Sequence, residues 1–538
     1  MNVQKLCVLL LAFSVNYISE AQTTQQKKLL PMLAPSSPEV ASLGRFGSYE
    51  VNLFTGVPDI SIPIYNIQVG ELTLPISISY HASGIKVSET PSRVGLGWSL
   101  NAGGTITRKI QGKPDEQTNN YFAATPTSEF RVKSTSEIDG YSEAALDYLS
   151  KVDVRTYDGE PDIFSYNFPG HSGRFLFNQK DNFTPFLIPY APVVVSKTYV
   201  DPLTVYFAIK DEGGRKYSYN TVETTTSGSG VGLNANTTSA WLLSEILSAN
   251  VQDTIRLKYS PVSTSDQYEN EYFIINNNVS GGNGGNGYYN NDFGTFSGEI
   301  VNSTTWAQRL DTVVFRNGKL VFEQSPEGRN DFNGAYNIQG RLKFIKVYSL
   351  DPVSKTYNLV KVVQFFHSYF INGADNPTAR LRLDSIQVQT STNLAIETYR
   401  FSYNTNIVLP SKMSKQKDYW GYFNNKYNTI PNTSTPTSIP KMKHTYVQPP
   451  GAPYDVWIGG TDTNARYPDP TYMQACILQQ ITFPTGGYTQ FEYETNQYLD
   501  ENNIAKYAGG LRIKSIKSYT ASGAIPIVKT YTKWIRIR

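Results

Sequence analysis

Cysteine is almost missing from this 538-residue chain, which holds only Cys7 and Cys476. Cys7 lies in an N-terminal apolar run, so a chain cut after that run keeps one thiol and forms no internal disulfide. Cys476, in the run Ala475-Cys476-Ile477-Leu478, reads as a buried small hydrophobe. Charge is sparse, at 17% against roughly 25% in an average globular protein. With 48 basic and 45 acidic residues, the net charge of +3 gives no broad basic field for nucleic acid. The four histidines, His81, His171, His367 and His444, show neither an i, i+4 pair nor a Cys/His cluster, so no zinc motif is present. There is no Gly-x-Ser-x-Gly elbow. Gly95-Leu96-Gly97 and Gly228–Gly232 lack the following helix that a phosphate cradle needs. Past the N-terminus no 18-residue apolar run offers a transmembrane helix, and no long helical periodicity offers a coiled coil.

What is abundant is aromatic: 13% of residues, with 38 Tyr and 26 Phe. With so few charges, that excludes global disorder. The first 21 residues read as a signal peptide: Lys5, an apolar stretch Leu6–Phe13 too short to span a bilayer, then Ser19-Glu20-Ala21. Cleavage is expected between Ala21 and Gln22. The expected location is secreted or cell-surface, with the periplasm as a further possibility.

Residues 22–40 form a polar leader, and 41–115 an N-terminal β module. There Ile60-Ser61-Ile62-Pro63-Ile64 and Leu72–Tyr80 alternate with period two. Pro63 and Pro75 point to strand edges or ends. Residues 116–275 read as a β module with polar insertions, including a short helix at Ser142–Ser150. Thr224–Thr238 and the Gly/Asn-rich stretch 276–298 hold almost nothing apolar and read as mobile loops. A β-hairpin module spans 299–423, a Pro/Thr/Asn-rich loop 424–470, and further hairpins 471–538.

A two-strand unit recurs. Leu243-Ser-Glu-Ile246 leads to Leu257-Lys258-Tyr259, Leu383-Asp-Ser-Ile386 to Phe401-Ser402-Tyr403, and Leu478-Gln-Gln-Ile481 to Phe491-Glu492-Tyr493. Leu310-Asp-Thr-Val313 turns at Asn317-Gly318, a pair suited to positive φ, and returns through Leu320 and Phe322. Such units suggest hairpins laid side by side. The expected fold is all-β: a large antiparallel hairpin-repeat sheet with few short helices.

Several ordered motifs sharpen this. Ser37–Gly47, Tyr80-His81-Ala82-Ser83-Gly84-Ile85-Lys86-Val87 and Val94–Gly104 together resemble the N-terminal region of large Rhs/YD-repeat (RHS repeat) proteins, most closely the secreted ones of Bacteroidota. Asp158–Phe164, Asp418-Tyr419-Trp420-Gly421-Tyr422 and Phe483–Tyr488 look like later signatures of that family. The resemblance implies a β-shell. In toxin-related members such a shell wraps a C-terminal cargo, and other relatives are adhesive or labelled sugar-binding. This chain departs from the pattern by stopping at Arg538, where further repeats and a self-cleaving core would follow. It is read as a truncated front, broken by a frameshift or premature stop, without the cargo-bearing part.

The function expected is therefore non-enzymatic: an exported structural or interaction protein. Its partners would be other shell segments or subunits, or surface glycans, with no nucleic acid. The alternative is a carbohydrate- or cell-surface-binding module, and a glycoside hydrolase is the third reading. No catalytic residue, cofactor or metal is assigned. Asp158, Glu160 and Asp162 could offer oxygen ligands to Ca²⁺ but read as a solvated turn. Trp98, Trp241, Trp306, Trp420 and Trp457 could stack on sugars, although strand tryptophans usually belong to the core. Trp420 with Tyr419 and Tyr422, beside the 424–470 loop, is the candidate glycan contact. Arg466–Pro470, a faint echo of the family's core motif, is set aside as a decoy.

Overall fold

The chain divides into two units, Met1–Ser48 and Tyr49–Arg538. The computed structural model describes residues 49–532 except 117–120, 123–141, 155, 180–182, 202–203, 230–235, 276–293, 332–339, 372–377 and 447–453. The signal peptide, the Ala21–Gln22 cleavage position, the polar leader and residues 533–538 lie outside these.

Alternation writes the first sheet. β1 (Ile60–Val69), β2 (Leu72–Tyr80) and β3 (Trp98–Asn101) pair antiparallel in that order. Ile62, Leu74 and Ile78 are buried while Ser61 and Thr73 are exposed, the period-two pattern of a half-buried sheet. Pro63 sits where the β1–β2 register shifts, and Pro75 in the half of β2 that β3 leaves uncovered. Both prolines thus avoid a fully laddered position.

A second sheet of 21 strands, also antiparallel, holds most of the remaining chain. From Gly294–Phe315 to Ile527–Thr530 each strand pairs with the one before it; only 404–477 is bypassed, where Ala395–Tyr403 pairs with Leu478–Thr482. The sheet branches at the 22-residue strand Gly294–Phe315. One edge of that strand pairs with Thr254–Ile275, and the other carries Thr221–Ser229 and Gly318–Gln324 in succession. Met442–Tyr446 and Tyr454–Ile458 form a separate hairpin, so the 424–470 stretch is not wholly irregular. Among the described residues one α-helix, Glu143–Asp153, is capped by Ser142, whose hydroxyl accepts from Ala145 N–H at 3.3 Å.

The recurring apolar-x-x-apolar motif has a geometric cause. Residues three apart on a regular strand face opposite sides. Here the register shifts inside the motif at Leu310–Val313, Leu342–Ile345, Leu383–Ile386, Leu478–Ile481 and Ile513–Ile516. Each shift is a bulge that inserts one residue, so both apolar ends turn into the core, and all ten are buried. In three units the returning tyrosine hydroxyl donates to the leading leucine carbonyl: Tyr259 to Leu243 (2.7 Å), Tyr403 to Leu383 (2.7 Å) and Tyr493 to Leu478 (2.8 Å).

Two expectations are corrected. Thr224–Ser229 is strand, not mobile loop, because β-branched threonines pair with residues 301–306 and share hydroxyl bonds such as Thr225 to Thr305 (3.0 Å). Residues 230–235 and 276–293 lie outside the described residues, and from Gly294 the chain is strand. The turn at 316–317 closes on a Phe315–Gly318 pair, and neither Asn317 nor Gly318 has positive φ. Gly318 is needed for room instead: a Cβ there would collide with the Tyr348 carbonyl oxygen of the next strand.

The segment between β2 and the second sheet joins the two. Leu511 N–H donates to Ser83 O (2.8 Å), Leu342 N–H to Arg93 O (2.9 Å), Leu243 N–H to Gly104 O (2.9 Å), and Leu96 N–H to Leu381 O (2.8 Å). Arg380, fully buried, donates to Val87 O at 2.9 Å, and buried Arg329 to Pro91 O at 2.9 Å. Leu478 N–H reaches the Tyr80 hydroxyl (3.0 Å), and Trp98 Nε1–H reaches the Tyr403 hydroxyl (2.8 Å).

Candidate functional site

One carboxylate organises the turn Asp418–Tyr422. Asp418 is fully buried, and its Oδ1 accepts from the N–H groups of Trp420 (2.9 Å) and Tyr422 (3.0 Å). Burial raises its pKa, opposed by backbone N–H bonds from Tyr422, Trp420 and Gly421 and by the charge of Arg466. Gly421, at φ +95°, supplies a left-handed step that a side chain would resist. Arg466 braces the turn: its guanidinium donates to Asp418 O (2.8 Å) and Ser438 O (3.2 Å) and lies 5.3 Å from the Tyr419 ring centroid.

This turn throws two rings outward. Tyr419 is 55% exposed and Trp420 44%, set edge to face at 6.3 Å. Trp420 rests on Gly509, where any Cβ would overlap the indole. Tyr422 goes the other way. It is buried in the core, with its ring against Gly84, so it is not placed to touch a ligand alongside the other two. The reversal at Gly421 is the reason: the residue after it bridges back to Lys86.

Beside the turn, a cleft of about 350 Å³ is lined by Glu269, Lys415, Lys426, Tyr427 and Pro436 among others. Lys415 Nζ lies 2.8 Å from Glu269 and 3.2 Å from Glu271. Burial would lift Glu271, but two hydrogen bonds from Ser438 and the Lys415 ammonium outweigh it and hold the carboxyl below its usual range. The Lys426 ammonium sits 5.5 Å from the Tyr467 ring centroid. The region thus combines ion-paired charges with two outward rings. Lys415 and the two glutamates carry no motif in sequence; they meet because the long strand Thr254–Ile275 is brought against 411–467.

Reactive groups elsewhere are tied to structural partners. Cys476 is buried, and burial pushes its thiol up to about 11. His367 Nε2–H donates to Val94 O (2.9 Å), and burial lowers the pKa of the ring to about 4. His81 Nε2 lies 2.5 Å from Ser83 Oγ, and burial followed by Lys86 lowers its pKa. The Asp158 carboxylate accepts from Lys113 N–H (2.6 Å) and Glu160 N–H (3.1 Å), and Asp162 from Gln111 N–H (2.9 Å) and Asp115 N–H (3.2 Å). Among the described residues no group of three side chains could hold a metal. No helix among them is long and apolar enough to cross a membrane. Trp98 and Trp241 are core, whereas Trp306, Trp420 and Trp457 are exposed.

No family model and no curated protein matches the chain. Among solved structures it is similar to the N-terminal domain of the effector protein SpvB from Salmonella typhimurium strain LT2, at 12% identity and TM-score 0.30, over 62% of this chain and 98% of that one. It is also similar to TcdB2-TccC3, at 11% identity and TM-score 0.35, over 77% of this chain and 20% of that one. A further structure, TcdB2-TccC3-TEV, is 12% identical with TM-score 0.34, over 67% and 16%. The chain thus spans a fifth or less of the latter two. Likeness at these scores carries no argument; the all-β assignment rests on the strand ladders themselves.

Proposed function

We propose that the chain is an exported, non-enzymatic β-shell segment of the Rhs/YD-repeat kind, serving structure and interaction. One observation carries this reading: the residues of the resemblance are those that lock the sheet. Tyr80 and Gly104 bond the leading leucines Leu478 and Leu243, Ser83 bonds Leu511, and Gly421 O accepts from Val87 N–H at 2.9 Å. Motif residues used this way point to a scaffold rather than a reaction centre. To test the export it entails, the full chain is expressed in a bacterium, fractionated, and its N-terminus sequenced. Gln22 as the first residue, outside the cytoplasm, is expected; an uncut Met1 retained in the cytoplasm overturns it.

A second reading, a surface-binding module, is favoured by the exposed Tyr419–Trp420 pair beside its cleft. Saturable binding to a glycan panel, lost in Tyr419→Ala with Trp420→Ala while the fold persists, is its expected signature. Unchanged binding in that double variant removes the site.

A further inference from the structure

A cleft of about 520 Å³ opens where the two sheets meet. Pro75, Ser77 and Leu100 line it from the first sheet, and Asn167, Leu242 and Leu310 from the second. Residues 101–104, the end of a motif singled out in sequence, run along it, although holding the sheets together requires no open space there.

Arg93 is the one charged residue of the lining. Its carbonyl is fixed by Leu342 N–H (2.9 Å), yet its side chain feels the charges of Arg309, Asp311 and Glu223, which gather around Gln308. The side chain therefore runs along the cleft wall toward Gln308, another lining residue. Its neighbours are already committed: Arg309 to Asp311 (3.1 Å), Arg329 to Asp331 (2.6 Å), and the Glu223 carboxylate to Gln308 N–H (2.8 Å). Arg93 itself forms no ion pair among the described residues, and its Nη1 is buried without a hydrogen-bond partner. A desolvated cation left unpaired is costly. Burial, then the charge of Arg309, lowers its pKa to about 10, so it stays charged at neutral pH.

We infer that this cleft binds a small carboxylate with an apolar body, its carboxylate on Arg93 and its body against Leu100, Leu242 and Leu310. Three observations favour that occupant. A guanidinium fork matches a carboxylate, whereas a neutral ligand would leave Arg93 as it stands. One free cation suits one anionic group; a polyanion would need Arg309 and Arg329 as well, and both are spent on their own aspartates. The remaining polar lining is turned toward donation: Asn167 Oδ1 already accepts from the N–H (2.8 Å) and hydroxyl (3.3 Å) of Thr105, which leaves its Nδ2–H groups to offer. The volume is that of a small-molecule pocket, in the roughly 300–1,000 Å³ class. The cleft is separate from the Tyr419–Trp420 pair, so either can fail without the other.

The test is isothermal titration calorimetry of the full chain at neutral pH with octanoate and 3-phenylpropanoate. Octanamide serves as the uncharged control and inorganic phosphate as the anion without an apolar body. At least one carboxylate is expected to bind saturably below about 1 mM, with octanamide and phosphate about tenfold weaker or more. Arg93→Gln should weaken the carboxylate about tenfold or more and leave octanamide as in the unaltered chain, and Asn167→Ala should weaken the carboxylate by a smaller factor. Ser77→Phe, which fills the cleft while keeping Arg93, should abolish binding; it tests the site even where Arg93→Gln fails to fold, and circular dichroism verifies each variant. Tyr419→Ala with Trp420→Ala should leave this binding unchanged. The proposal is overturned by the absence of saturable binding to either carboxylate, by equal affinity for octanamide or phosphate, or by binding that persists undiminished in folded Arg93→Gln or Ser77→Phe.

Discussion

Tyr403 both gives and takes: its hydroxyl donates to Leu383 O and accepts from the Trp98 indole N–H. Tyr403→Phe removes both bonds and strands the buried Trp98 donor. A loss of about 1–3 kcal/mol in denaturant unfolding is expected, against about 0.5–1.5 for Tyr259→Phe, which breaks one partly buried bond. Equal losses would show that the Trp98 link is idle. A second residue-scale expectation concerns pH. Asp115 and Asp162 are buried and accept from each other's backbone N–H. Burial, then the charge of Asp162, raises Asp115 to about 8; burial raises Asp162 to about 6. A raised carboxyl favours the protonated form in the folded state, so its stabilisation is full below about pH 4 and is lost as pH climbs through 6 to 8. Unfolding free energy should therefore fall from pH 5 to 9, and Asp115→Asn should flatten the slope. A slope unchanged in that variant refutes the assignment. Little at this scale was legible in sequence. A tyrosine whose hydroxyl closes a bond and one that merely fills a core leave the same mark on periodicity, and the Asp115–Asp162 contact joins residues 47 positions apart.

Hairpins were the legible element. The apolar-x-x-apolar spacing correctly located strands, yet its meaning was hidden, since residues three apart share a face on a helix but lie on opposite faces of a regular strand. Only the ladder reveals the bulge that lets both ends face inward. The candidate turn was legible as a cluster of rings, but Tyr422 was misplaced with its neighbours because the reversal at Gly421 depends on backbone dihedrals. Gly318 teaches a similar lesson. Gly318→Ala should cost about 1–3 kcal/mol through overpacking against Tyr348 O. Gly486→Ala, with open space but φ +85°, should cost about 1 kcal/mol from backbone strain. Thermal unfolding of the pair separates steric from dihedral demand. At the sheet's end, Ile527–Thr530 is exposed and pairs on one edge only among the described residues. Self-association that rises with concentration in light scattering is expected, and Val528→Lys should suppress it. A monomer at all concentrations would contradict this.

In the molecule as a whole, neighbouring hairpins need only each other, whereas segment 80–104 needs them all. Arg380 reaches Val87 O from inside the core. Arg380→Ala should speed hydrogen exchange about tenfold at the Leu243, Leu342 and Leu511 amides together, because all three donate to this segment. Acceleration confined to one of them would mean the segment docks piecemeal.

The bond between Leu478 and Tyr80 spans 398 positions of chain. At roughly 5–20 residues per second, the ribosome needs about 20–80 s to make that interval. Throughout it, the nine isoleucines and leucines of the first sheet are made but lack their final partners. The N-terminal part of this protein is first to be born and last to be locked. A chain built on that schedule leaves this apolar face without its final cover for about a minute of synthesis.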